Sequence, residues 1–226
     1  MPDPAGVRRA LAVGAVAASV LALAGCGRDY ASSDATAPPP PVAIEQPSAG
    51  PYHAVELAQP ISKPDVTLQD TSGAPFNLAR DTAGEVVLVY AGYTHCPDVC
   101  PTTMADIAAA LRGLTPEERQ RVRVVMFSTD PARDTPQRMR AFLDQFDTGF
   151  TGVLGEESAL IGAINDMGID VQPPEVADDG DVLVEHGAQV LAFAPPSDQA
   201  ELLWTSGTTP TEYREDLHEL LAAAQQ

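Results

Sequence analysis

The chain has 226 residues, 44% of them hydrophobic, enough for one globular domain with a sizeable core once the terminal segments are set aside. Its 32 acidic against 13 basic side chains give a net charge of -19. A surface of that sign repels phosphate backbones instead of releasing their counterions, which argues against nucleic acid as a partner.

At the N-terminus, Arg8 and Arg9 precede an uncharged Ala/Leu/Val-rich run from Ala10 to Ala24 that is short for a membrane span. The pattern predicts an export signal over residues 1–25. It ends in Leu23-Ala24-Gly25-Cys26, which resembles a bacterial lipobox, with Cys26 as the lipidated first residue after cleavage. The alternative is an uncleaved anchor helix with an incidental cysteine. Either way the domain is expected outside the cytoplasm, lipid-anchored at the cell membrane on the first reading. Residues 26–59 are rich in Ala, Ser, Asp and Pro, including Pro38 to Pro41, and read as a disordered tether. The folded domain is assigned to residues 60–226.

Within it, Asp65 to Asp70 and Pro75 to Leu78 flank the turn Thr71-Ser72-Gly73-Ala74 and predict an N-terminal β-hairpin. The continuous apolar run Glu85 to Ala91 reads as a central strand covered on both faces. A helix follows over Pro101 to Leu111, with Met104, Ile107, Ala108 and Leu111 on one face and Pro101 in its first turn. Arg121 to Ser128 is a second buried strand, Pro136 to Phe146 a helix, Phe150 to Leu154 a short strand and Glu156 to Asp166 a helix. Gln172 to Gly180 is a Pro/Asp-rich loop too polar to pack. Gln189 to Ala194 and Glu201 to Trp204 are spaced as an antiparallel hairpin, and Pro210 to Ala224 is a terminal helix. Hairpin, βαβα, helix, hairpin and helix is the order of a thioredoxin-like α/β domain with a central mixed β-sheet flanked by helices.

The chemistry concentrates at Cys96-Pro97-Asp98-Val99-Cys100, where an i, i+4 pair entering a helix can turn both sulfurs to one side. Unpaired amides at a helix N-terminus stabilise a thiolate, which favours nucleophilic attack and metal ligation alike. A structural disulfide is the bland alternative in an oxidising compartment, but so short a ring stabilises little. Two thiolates are soft ligands that select Cu(I), and an added imidazole makes a site able to hold Cu(I) or Cu(II). Of the histidines, His53 beside the tether and His218 in the terminal helix read as solvated. His95 adjoins Cys96 too closely to ligate comfortably with it. His186 follows the polar loop and can reach the same sheet edge as the cysteines, although a histidine at a strand start is more often a surface residue.

Gly92-Tyr93-Thr94-His95-Cys96-Pro97-Asp98-Val99-Cys100-Pro101-Thr102-Thr103 resembles the signature of Sco/SenC proteins, and Phe127 to Pro136 resembles their second conserved stretch. Asp181 to His186 resembles a third segment, and the resemblance makes His186 the third copper ligand beside Cys96 and Cys100. It covers about Pro64 to the C-terminus. It implies a thioredoxin-like fold and a copper-binding metallochaperone for the copper-A centre of cytochrome c oxidase, whose copper-A subunit would be the partner. The alternative is a thiol-disulfide oxidoreductase that reduces the copper-A cysteines, with Cys96 attacking and Cys100 resolving. His95, Asp98 and Glu185 are expected around the ligands without binding copper. Two departures stand out: Val182 replaces a usual Tyr, and Glu185 a usual Asp, which keeps charge but changes reach. A peroxidase of the same fold would need Pro at Val89 and Thr at Tyr93, and a closed zinc site would need a fourth ligand.

Overall fold

The computed structural model describes residues 50–171, 175–176, 182–183 and 188–225. In chain order the strands are β1 (Val55–Ser62), β2 (Thr67–Asp70), β3 (Pro75–Asn77), β4 (Val86–Gly92), β5 (Val122–Ser128), β6 (Thr151–Leu154), β7 (Glu175–Val176), β8 (Val182–Leu183), β9 (Val190–Ala194) and β10 (Gln199–Trp204). The helices are α1 (Leu78–Asp81), α2 (Val99–Arg112), α3 (Pro116–Arg119), α4 (Pro136–Leu143), α5 (Glu157–Asp166) and α6 (Pro210–Ala223).

Eight strands form one sheet in the order β1-β10-β9-β4-β5-β6-β2-β3, with β4, β5 and β6 parallel and the other neighbours antiparallel. This is the mixed sheet of the thioredoxin-like arrangement. All seven residues of β4 are buried, as its unbroken apolar run requires for a strand covered on both sides. The period of two divides them. Val86, Leu88 and Tyr90 face a core shared with Met104, Ile107 and Leu111 of α2 and with Leu217 and Leu221 of α6. Val87, Val89 and Ala91 face a second core with Leu160 and Ile164 of α5.

Three expectations need correction. β1 begins at Val55, inside the stretch assigned to the tether, and pairs with β10, while the hairpin β2–β3 lies at the opposite edge of the sheet. Val55, Leu57 and Ile61 turn partly buried side chains inward, but the register shifts between Glu56 and Ile61, where Pro60 has no N–H for a ladder. The polar loop over Gln172 to Gly180 contains β7, which pairs antiparallel with β8. α4 also ends at Leu143, and Phe146 follows in a turn, edge-on to Phe142 with ring centroids 5.2 Å apart.

Candidate functional site

Parallel strands β4 and β5 end side by side at Gly92 and Ser128, and each leads through a short loop into a helix, α2 or α4. Ligand-handling groups gather at such carboxyl ends because two helix N-termini point there. The loop from Tyr93 to Asp98 carries Cys96, and Cys100 sits in the first turn of α2. Asp98 is the N-cap, yet its side chain makes no capping bond; its carbonyl accepts from the Thr102 amide at 3.3 Å and hydroxyl at 2.9 Å. The free amides of that first turn instead face a sulfur. Cys100 N–H donates to Cys96 Sγ at 3.4 Å, joined by the amides of Asp98 and Val99. Cys96 thus takes the place of a capping side chain.

Both cysteines are thiols, Cys96 half-buried and Cys100 fully buried. Partial burial opposes ionisation of Cys96, but the amides and the Cys100 thiol outweigh it and hold its pKa below the ordinary thiol value. Burial pushes Cys100 up to about 12, despite the Tyr90 hydroxyl donating to its Sγ at 3.3 Å and the Tyr93 amide donating as well. Adjacent sulfurs therefore differ in kind: one, near the surface, ionises more readily than an ordinary thiol, and the other is held as a buried thiol. Gly92 makes room for the second, since a Cβ there would lie 3.0 Å from Cys100 Sγ and 2.6 Å from the Tyr90 ring.

The loop is braced from α4's side. Asp134 accepts from the Thr94 hydroxyl at 2.6 Å, the Thr94 amide at 3.1 Å and the Ser128 hydroxyl at 2.6 Å. His95, expected near the ligands, turns away from the sulfurs: Nδ1 lies 3.2 Å from Thr94 Oγ1, and Nε2 meets Arg138 Nη1. Asp98 is exposed and contributes backbone only. His53 pairs with Glu215 and His218 with Glu118, each at the surface and engaged elsewhere. His186, Glu185 and Cys26 lie outside the described residues. Among the described residues no group of three or more His, Cys, Asp or Glu could hold a metal ion, so this part of the site supplies two sulfur donors. Tyr90, Gly92, Ser128, Asp134 and Arg138 were given no individual role from sequence. All but Tyr90 and Arg138 lie inside the two long motifs quoted above.

The family model described as SCO1/SenC matches residues 56–222. The mitochondrial SCO1 homolog 1 of Arabidopsis thaliana is 29% identical over 132 residues, covering 54% of this chain and 39% of that protein. The chain spans about half the length of the curated relatives it matches. Among solved structures, apo Sco1 of Thermus thermophilus superposes with a TM-score of 0.62 at 29% identity, over 77% of this chain and 95% of that one. ScoI of Bradyrhizobium japonicum, solved with copper bound, gives 0.59 at 27% identity, over 72% of this chain and 98% of that one.

Proposed function

The chain belongs to the SCO1/SenC family, and from that premise we propose that it binds copper through Cys96 and Cys100, with His186 as third ligand, and passes it to the copper-A subunit of cytochrome c oxidase. The observation that carries the reading is the dithiol itself. Two soft donors one helical turn apart sit at the mouth of a sheet, and the amides facing one of them lower its pKa below the ordinary thiol value. Copper bound to the Bradyrhizobium relative supports it. Copper is cargo here, so the site must both hold and release it. A half-exposed Cys96 gives an incoming ligand a first point of exchange, and the buried Cys100 retains the ion until exchange completes. The lipobox ending at Cys26 would anchor the chain at the outer face of a cell membrane. No helix among the described residues is long and apolar enough to cross one.

A second reading has its own support. The division between a half-exposed thiol of lowered pKa and a buried thiol pushed up to about 12 is also what attack and resolution demand of a thiol-disulfide reductase. His186 separates the two. The reduced wild type should bind one Cu(I) per chain, and Cys96→Ser or Cys100→Ser should lose it. His186→Ala should lose Cu(II) with less harm to Cu(I), because two thiolates hold the softer ion. Normal oxidase assembly by His186→Ala, alongside failure of both serine variants, would overturn delivery in favour of reduction.

A further inference from the structure

We propose that Asp134 is the positioning residue of the dithiol: it holds the Cys96-bearing loop against the end of β5 so that Cys96 meets the amides of α2. The inference deepens the reading above and rests on Cys96 and Cys100 being the working pair. Asp134 is 3% exposed and lies between β5 and α4, where its own amide donates to Asp130 O at 2.9 Å and the next residue, Thr135, caps α4. Its position is therefore fixed before it touches the loop. One carboxylate oxygen then takes both the hydroxyl and the amide of Thr94, and the other takes Ser128. Three segments meet on one side chain.

The choice of a carboxylate is informative. Burying one costs several kcal/mol, on the order of what a cation would have to repay, yet the hydrogen-bond partners described here are neutral. The nearest group able to carry positive charge is His95 Nδ1, at 3.8 Å. What a carboxylate offers over a neutral acceptor is shorter, stronger bonds and room for three donors at once. Those bonds fix Thr94 at two atoms, two residues before Cys96. The loop's own backbone bond, from Cys96 N–H to Tyr93 O, is long at 3.3 Å. The brace also continues outward. Because the Thr94 hydroxyl gives its proton to Asp134, it accepts from His95 Nδ1–H, which leaves Nε2 to accept from Arg138. His95 is thereby held away from the sulfurs.

The test uses the reduced full chain with Asp134→Ala, Asp134→Asn and Thr94→Val. Two quantities are read: Cu(I) affinity by competition with a chromophoric chelator, and the dithiol–disulfide equilibrium against glutathione. Trp204 fluorescence monitors folding. Asp134→Ala should weaken Cu(I) by about 10- to 100-fold, the usual cost of losing a residue that supports a ligand, and should move the glutathione equilibrium as well. Thr94→Val should shift both in the same direction by less. Asp134→Asn keeps an acceptor for both Thr94 donors and should recover most of the loss. Folded Asp134→Ala protein with both quantities unchanged overturns the proposal, as does an Asn variant no better than Ala. Should Asp134→Ala not fold, an unaltered Thr94→Val decides against it. Wild type that binds no copper would sink the copper reading alone and leave the glutathione arm to judge this one.

Discussion

Two buried aspartates do similar work with different consequences. Asp216 of α6 accepts the His53 and Ala54 amides, each at 2.8 Å, and the Trp204 indole N–H at 2.8 Å, so it ties the entry of the domain, β10 and α6 together. Asp134 ties a loop, β5 and the start of α4. Beside Asp216 lie the buried rings of Trp204 and Tyr213, with centroids 5.0 Å apart. Beside Asp134 lies a loop that carries a half-exposed sulfur. A buried carboxylate gathering N–H and O–H donors is thus a device for joining segments, and what lies beside it decides whether it serves the fold or the site.

The widest separation between the two regions is chemical, because among the described residues only the Asp134 side contains thiols. Iodoacetamide at near-neutral pH should label Cys96 faster than Cys100 by on the order of 100-fold, since only the thiolate reacts and the two pKa values are driven apart. The Cys96 rate should climb with pH and level off below the pH at which an ordinary thiol would. Cys100 should stay silent until the pH nears about 12. Peptide mapping of the labelled protein would show it, and equal labelling of the two sulfurs would contradict the asymmetry.

Removing Asp216 should strike the fold and spare the thiols. Asp216→Ala orphans the buried Ala54 amide and Trp204 indole N–H, each costing about 1–3 kcal/mol, and the part-buried His53 amide, so a loss of roughly 2 kcal/mol or more is expected. Denaturant melts should record that loss. The Cys96 alkylation profile of the folded fraction should match wild type, and a shifted profile would mean that the two regions are coupled.

Much of this was legible from local pattern and little of it from across the chain. β4 announced itself as an uninterrupted apolar run, and the Cys96–Cys100 spacing at a strand-to-helix junction is a feature of five consecutive residues. β1 was missed because an edge strand buries only alternate side chains, and Pro60 breaks even that rhythm. α3 is one turn long, too short for a helical period, although Thr115-Pro116-Glu117-Glu118 spells a capping box that the structure forms. Asp134 escaped because its partner Thr94 is 40 residues away. A hydrogen bond between two loops has no periodicity, and the resemblance quoted Asp134 inside a motif without giving it work. Both aspartates share that illegibility.

A pair of glycines sharpens the comparison on the scale of a single methyl group. Gly92 at the end of β4 and Gly113 at the C-cap of α2 both lie in crowded places, but what crowds them differs. A Cβ on Gly92 would come within 2.6 Å of the Tyr90 ring, 3.0 Å of Cys100 Sγ and 3.1 Å of Met126 Cε, all belonging to fully buried side chains with nowhere to go. On Gly113 the closest atom is Arg214 Cδ, also at 2.6 Å, partway along a long side chain that can swing aside, although Ala110 O at 3.2 Å asks for a small adjustment. Overpacking a closed core costs about 1–3 kcal/mol, so Gly92→Ala should lose that much, while Gly113→Ala should lose under about 1 kcal/mol because a flexible chain relaxes the clash. Only the first should also weaken Cu(I), since the displaced atoms include the Cys100 sulfur of the proposed copper site. Chemical denaturation and chelator competition on the two variants measure both effects. Equal stability losses, or copper affinity untouched in Gly92→Ala, would show that the Cys100 pocket has slack that the close approach of Gly92 does not reveal.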